Sequence, residues 1–127
     1  MRALKEIGHR VLVVLATNGE AGLTDEAHNF DLAALRKNEY EKSARLLGVA
    51  QTYFLNYKDS GLNPNPDSST FHNTNLDEVA KVLAAILQNE NAQLVIGYDQ
   101  KGGYGHPDHI QVHKVVIAAA KIAGTPV

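Results

Sequence analysis

Between Gly102 and His113 the sequence reads GGYGHPDHIQVH, which places three histidines and an aspartate within eight positions, just past three glycines. Imidazole and carboxylate groups at that density suit metal ligation, proton transfer or stabilisation of a developing negative charge. Pro107 fits a first helical position, which sets His106 at the cap, His109 in the first turn and His113 one turn on. His109 and His113 then imitate the zinc helix HExxH, but the glutamate base that motif needs is replaced by Ile110. Another division gives His109 to a metal and makes His106 an acid or oxyanion stabiliser, with Asp108 orienting an imidazole. That arrangement suits a metal-activated water attacking a carbonyl. The plainer reading is a polar helix start in which Asp108 complements the dipole. GGYG matches neither GxGxxG nor a P-loop, so its glycines suit a tight turn or close packing as well as a phosphate.

The elements that must position these residues alternate. Apolar runs at Arg10 to Thr17, Val49 to Leu55 and Gln93 to Tyr98 read as strands. The first and third are nearly continuous, as for parallel strands covered on both faces. Asp31 to Leu47 carries Leu32, Leu35, Tyr40, Ala44 and Leu47 at helical spacing and stops at Gly48. Asn75 to Gln88 opens on a capping-box-like Asn75 and Glu78 and is expected to bury Leu76, Val79, Val82, Leu83 and Ile86. A last helix runs from Pro107 to before Gly124, and MRALKEIG is a short helical fragment ending at Gly8. The stretches Asn18 to Asn29 and Asn56 to Thr74 read as loops, the second too rich in Pro and Asn for regular structure. The pattern predicts an α/β fold with a parallel sheet. Ligands then bind beyond the strands' carboxyl ends, where Asn18 and Glu20, Tyr57 to Ser60, and Asp99 to His109 should converge.

Bulk properties narrow the chemistry. The 127 residues suit one small domain, and 44% hydrophobic with 20% charged residues is ordinary globular composition. A net charge of −2 gives no reason to expect nucleic acid or an acidic membrane as partner. With no cysteine, any metal must be held by His, Asp or Glu. No apolar run approaches membrane-spanning length and the first residues lack a signal-peptide core, so a cytoplasmic location is the expectation.

YDQKGGYGHPDHIQVH resembles the second signature of the PIG-L/LmbE-like zinc-dependent N-deacetylases, which remove acetyl groups from N-acetylglucosamine conjugates. TNGEAG, LRKNEYEKSARLLGV, and NYKDSGL followed by FHNTNLDEVAKVL are similar to further family segments, the last to members that act on glucosaminyl-inositol amides. The resemblance implies a Rossmann-like three-layer α/β fold with a mostly parallel sheet. It makes residues 1–127 a single partial deacetylase domain, whose first strand is expected upstream of Met1 and whose later strands are expected beyond Val127. It implies that His109 is a zinc ligand, that His106 stabilises the tetrahedral intermediate and that Asp108 supports His106. Arg36 and Asp59 fall where a sugar is held, with Glu20 in the neighbouring loop, and the partner implied is a small amino-sugar conjugate. Each of these three also has a plainer reading: Arg36 on a solvated helix face, Asp59 as a turn residue, Glu20 as loop surface. The family's first signature, A-H-P-D-D-E, occurs nowhere in the sequence. A catalytic zinc takes three protein ligands and an open position, so the chain by itself is expected to be silent. The alternative is a non-catalytic module that binds a sugar or an anion.

Overall fold

The computed structural model describes residues 1–21, 31–62 and 65–127. The chain divides at Asp59/Ser60 into two compact units. Most of the expected loop from Asn18 to Asn29 lies outside the described residues.

In the first unit, helix α1 (Arg2–Glu6) is followed by strand β1 (Leu12–Thr17), helix α2 (Leu32–Leu47) and strand β2 (Gln51–Tyr57). Asp31 caps α2 by accepting a hydrogen bond from the Ala34 N–H, and Gly48 ends it at φ 74°, the left-handed conformation that glycine adopts without penalty. The two strands pair in parallel, Leu12 with Gln51 through Leu15 with Phe54. The register then shifts so that Thr17 pairs with Tyr57, which leaves one extra residue on β2. Asn56, at φ 59°, sits in that bulge and donates from its side chain to the Phe54 carbonyl. A bulge bends its strand and re-aims the next residues, here Tyr57 to Asp59. None of the six β1 residues is fully buried, although its sequence anticipates cover on both faces.

The second unit is helical. A 3₁₀ turn (Phe71–Asn73) lies inside the stretch that composition marked as irregular. Helix α3 (Leu76–Asn89) follows, capped by Asn75 Oδ1 accepting from the Glu78 N–H. A single turn α4 (Gly102–Gly105) leads into helix α5 (Pro107–Ala123). Helix α3 packs on α5, burying Val79, Ala80, Leu83, Ala84 and Leu87 against Val115, Val116, Ala119 and Ala120. Alanine on both sides permits close approach, and Phe71, 1% exposed, joins this core. Val82, expected inside, is 44% exposed. Ala80, Ala84 and Leu87 take the inward positions because the buried stripe is centred one residue to the side.

The third expected strand is not a strand. Residues 93–98 pair with no strand among the described residues; Val95 N–H donates to the Pro126 carbonyl, and Leu94 and Ile96 are exposed. An apolar run codes for burial, but a strand exists only where a neighbour supplies a ladder of donors and acceptors.

Candidate active site

In the first unit the parallel strands bring Glu20 and Asp59 together: the Asp59 main-chain N–H donates to Glu20 Oε1 at 2.9 Å. The other oxygen, Glu20 Oε2, is buried with no hydrogen-bond partner among the described residues. Arg36, on α2, lies over Gly19, where an added Cβ would meet Arg36 Cγ at 3.7 Å. It also faces Glu39 at 3.4 Å. Arg36 lines a cavity of about 200 Å³ with Asn18, Gly19, Lys37, Tyr40 and Phe54. Lys37 Nζ sits 4.8 Å over the Phe54 ring, and Tyr40 shares a hydrogen bond with Thr52.

In the second unit the N-terminus of α5 organises the histidines. Pro107 occupies the start of the helix and His106 is its N-cap, an unusual one, because the imidazole Nδ1 accepts from the Asp108 N–H at 3.1 Å. Serine, threonine, asparagine or aspartate usually serves there. An Nδ1 that accepts carries no proton, so neutral His106 holds its proton on Nε2. Asp108 is 5% exposed and both of its oxygens are engaged by one residue: Ser60 N–H donates to Oδ2 at 2.9 Å and Ser60 Oγ–H to Oδ1 at 2.5 Å. Ser60 Oγ in turn accepts from the His72 N–H at 3.3 Å. The His72 ring donates from Nδ1 to the Pro107 carbonyl at 3.2 Å, since a carbonyl can only accept. A nitrogen of His106 also lies within 4.8 Å of an Asp108 oxygen.

His109 is held by aromatic rings. It stacks on Tyr98 with centroids 3.9 Å apart and planes 6° from parallel, and on His106 at 4.6 Å and 24°. Tyr104 presents its edge to both, at 5.4 Å from His109 and 6.0 Å from His106. His113 has a different job, donating from Nδ1 to the Tyr98 carbonyl at 2.9 Å and so tying residues 93–98 to α5.

Of the three glycines, Gly102 serves close packing, whereas Gly103 and Gly105 have open space around them and supply positive φ to the turn. Gly102 has φ +62°, and a Cβ there would lie 2.8 Å from the Ile110 main-chain nitrogen. The turn's amides are already used: Gly102 N–H donates to the Asp99 carbonyl and Gly103 N–H to Asp99 Oδ1, both at 2.9 Å. A phosphate cradle needs those donors free.

Residues missed in the sequence are Ser60 as the partner of Asp108, His72, and the ring cluster of Tyr98 and Tyr104. Ser60 and the two tyrosines lie within stretches marked for chemistry. His72 carried no local signal, because only the 3₁₀ turn delivers it to α5.

Among the described residues no helix is long and apolar enough to cross a membrane. The family model for PIG-L, GlcNAc-PI de-N-acetylase, matches residues 1–120. A 1D-myo-inositol 2-acetamido-2-deoxy-alpha-D-glucopyranoside deacetylase from Catenulispora acidiphila is 36% identical, over 99% of this chain and 44% of its own length. The corresponding deacetylase of Geodermatophilus obscurus is 35% identical, over 94% of this chain and 46% of its own. The N,N'-diacetylchitobiose deacetylase from Pyrococcus horikoshii superposes with a TM-score of 0.75 at 36% identity, covering 94% of this chain and 42% of that one. The conserved protein TT1542 from Thermus thermophilus, at 22% identity and a TM-score of 0.66, shares the fold. The chain therefore spans less than half the length of these relatives. Its α/β architecture with a parallel strand pair is Rossmann-like, and the chain belongs to the PIG-L, GlcNAc-PI de-N-acetylase, family.

Proposed function

We propose that these 127 residues carry the oxyanion-stabilising histidine and one metal ligand of a zinc-dependent N-deacetylase acting on an N-acetylglucosamine conjugate. The observation that supports this most is the tautomer of His106. Its Nδ1 is committed to the Asp108 N–H, so Nε2–H is a donor, and no protein group among the described residues takes it. An amide carbonyl under attack gains negative charge on oxygen, and a preorganised donor lowers that barrier without having to reorient. Asp108 positions His106 through the main chain, while its carboxylate secures the Ser60 loop.

The donor set fits zinc in kind, offering imidazole nitrogen with no thiolate. His109 would hold the ion, its ring plane fixed by the stacks on Tyr98 and His106. Asp108, with both oxygens on Ser60, is the poorer ligand. When bound, zinc would polarise the carbonyl and lower the pKa of a water to about 7. Glu20, Arg36 and Asp59 would hold sugar hydroxyls. The reaction releases acetate and the free amine, and His106 keeps its proton on Nε2 throughout the attack.

One histidine does not complete a catalytic zinc site, so the bare chain should bind zinc weakly and hydrolyse nothing. The test compares the bare chain with a protein that joins it to a strand bearing His-Pro-Asp-Asp, assayed on an N-acetylglucosaminyl-inositol. The joined protein is expected to be active, and His106→Ala should lower its kcat by roughly a hundredfold or more. Full activity of the bare chain, or indifference to His106→Ala, overturns the reading. Sugar binding without turnover in the joined protein would favour the non-catalytic module.

A further inference from the structure

Within the second unit, Leu62, His72, Tyr104, Gly105, His106 and Pro107, with Ile110 behind them, line a cavity of about 430 Å³. Its walls are mostly apolar and aromatic, and its two imidazoles are fixed in opposite senses. His106 accepts at Nδ1, which leaves Nε2–H as a donor. His72 donates at Nδ1 to the Pro107 carbonyl, which leaves Nε2 as a bare acceptor. Neither Nε2 has a protein partner among the described residues, and neither is shut off from solvent, so both are open to a ligand. The second sense is imposed by backbone: the 3₁₀ turn carries His72, and the His72 N–H is itself anchored on Ser60 Oγ.

A donor and an acceptor in one apolar cavity match a ligand that presents a carbonyl and a hydroxyl on a small carbon frame. We propose that His72 is a specificity-determining residue that accepts a hydrogen bond from a hydroxyl of the amino sugar whose amide faces His106. This rests on the deacetylase reading, which assigns the carbonyl to His106 but gives His72 no task. A hydroxyl suits the acceptor because it can donate, whereas an ether oxygen or a second carbonyl would face a lone pair; the amide N–H, the sugar's other donor, is kept in every monodeoxy analogue and cannot account for a loss specific to one of them.

The test uses the 127-residue chain, N-acetylglucosamine and its monodeoxy analogues, with histidine ring ¹⁵N shifts and binding both read by NMR at one pH. N-acetylglucosamine should perturb the Nε2 signals of both His72 and His106. One monodeoxy analogue should bind roughly fivefold to tenfold more weakly and leave the His72 signal unmoved, as for one neutral hydrogen bond. His72→Asn keeps a donor for Pro107 but has no outer acceptor; it should weaken N-acetylglucosamine to the same degree and lose the discrimination against that analogue. His72→Gln, which reaches the Nε2 position with an amide oxygen, should restore part of it. A purely structural role for His72 would weaken every sugar alike, and that result overturns the proposal. Perturbation of His106 without His72 also overturns it while leaving the deacetylase reading standing. No perturbation of either ring by the sugar overturns the proposal, while the deacetylase reading is judged separately by the joined protein's activity and its response to His106→Ala.

Discussion

The two units spend their residues differently. In Ser60 to Val127, ten apolar side chains are essentially removed from water, whereas in Met1 to Asp59 only Ala44 is, among the described residues. Two facing helices bury each other's apolar stripes with no outside help. A two-stranded sheet with one long helix covers part of one face and leaves the rest half exposed. The chemistry follows the same division. His106, Asp108 and His109 stand on a packed helix start braced by Ser60 and His72. Glu20, Arg36 and Asp59 stand on loops and a helix face of the lightly packed unit. A reacting group needs its geometry held within fractions of an ångström, and a packed core supplies that.

The largest expected effect separates the cores. Phe71→Ala should cost about 3–5 kcal/mol, because a ring 1% exposed leaves a cavity its neighbours fill only in part. Leu46→Ala, at a side chain 80% exposed, should change stability by less than about 0.5 kcal/mol. Chemical denaturation of both variants checks the contrast, and a Leu46 effect as large as that of Phe71 would break it. Residue-resolved hydrogen exchange should likewise find slower amides in α3 and α5 than in α1 or β2.

Asp59→Ala probes the other unit's part in function. The main-chain N–H that meets Glu20 survives this change, so the variant removes only the carboxylate. In the joined protein kcat/KM should fall roughly tenfold or more, about 1.4 kcal/mol, through sugar binding. Unchanged kinetics would return Asp59 to the role of a turn residue.

Asn75→Ala gives a smaller effect still than the loss at Asp59. Removing the cap of α3 exposes the Glu78 N–H and should cost about 1 kcal/mol. A thermal melt of the variant reads it, and residue-resolved hydrogen exchange shows whether the loss is confined to α3 or shared with α5.

Much of this was legible along the chain. The caps at Asp31, Asn75, Gly48 and Gly124, and the start of α5 at Pro107, are decided by contacts within a turn, so local residue chemistry suffices. The cluster of His106, Asp108 and His109 was legible for the same reason, since one helix start carries all three. The strand expected at Gln93 to Tyr98 was not settled locally, because a ladder belongs to two segments and a sequence shows one. Nor was the inward face of α3: Val82 and Ala84 differ in apolarity in the wrong direction, and only the position of α5 selects the alanine.

The sequence by itself determined where the longer helices α2, α3 and α5 begin and end, and which side chains crowd the first turn of α5. Tertiary structure alone decided the tautomer of His72, whereas that of His106 follows from its own helix cap. A ring's tautomer depends on what meets Nδ1, and for His72 that is a carbonyl 35 positions away along the chain. It also decided that Asp108 spends both oxygens on Ser60, 48 positions distant, instead of on a histidine beside it. Hydrogen bonds of that span are set by how the 3₁₀ turn and α3 fold back on α5, and residue spacing carries no record of that return.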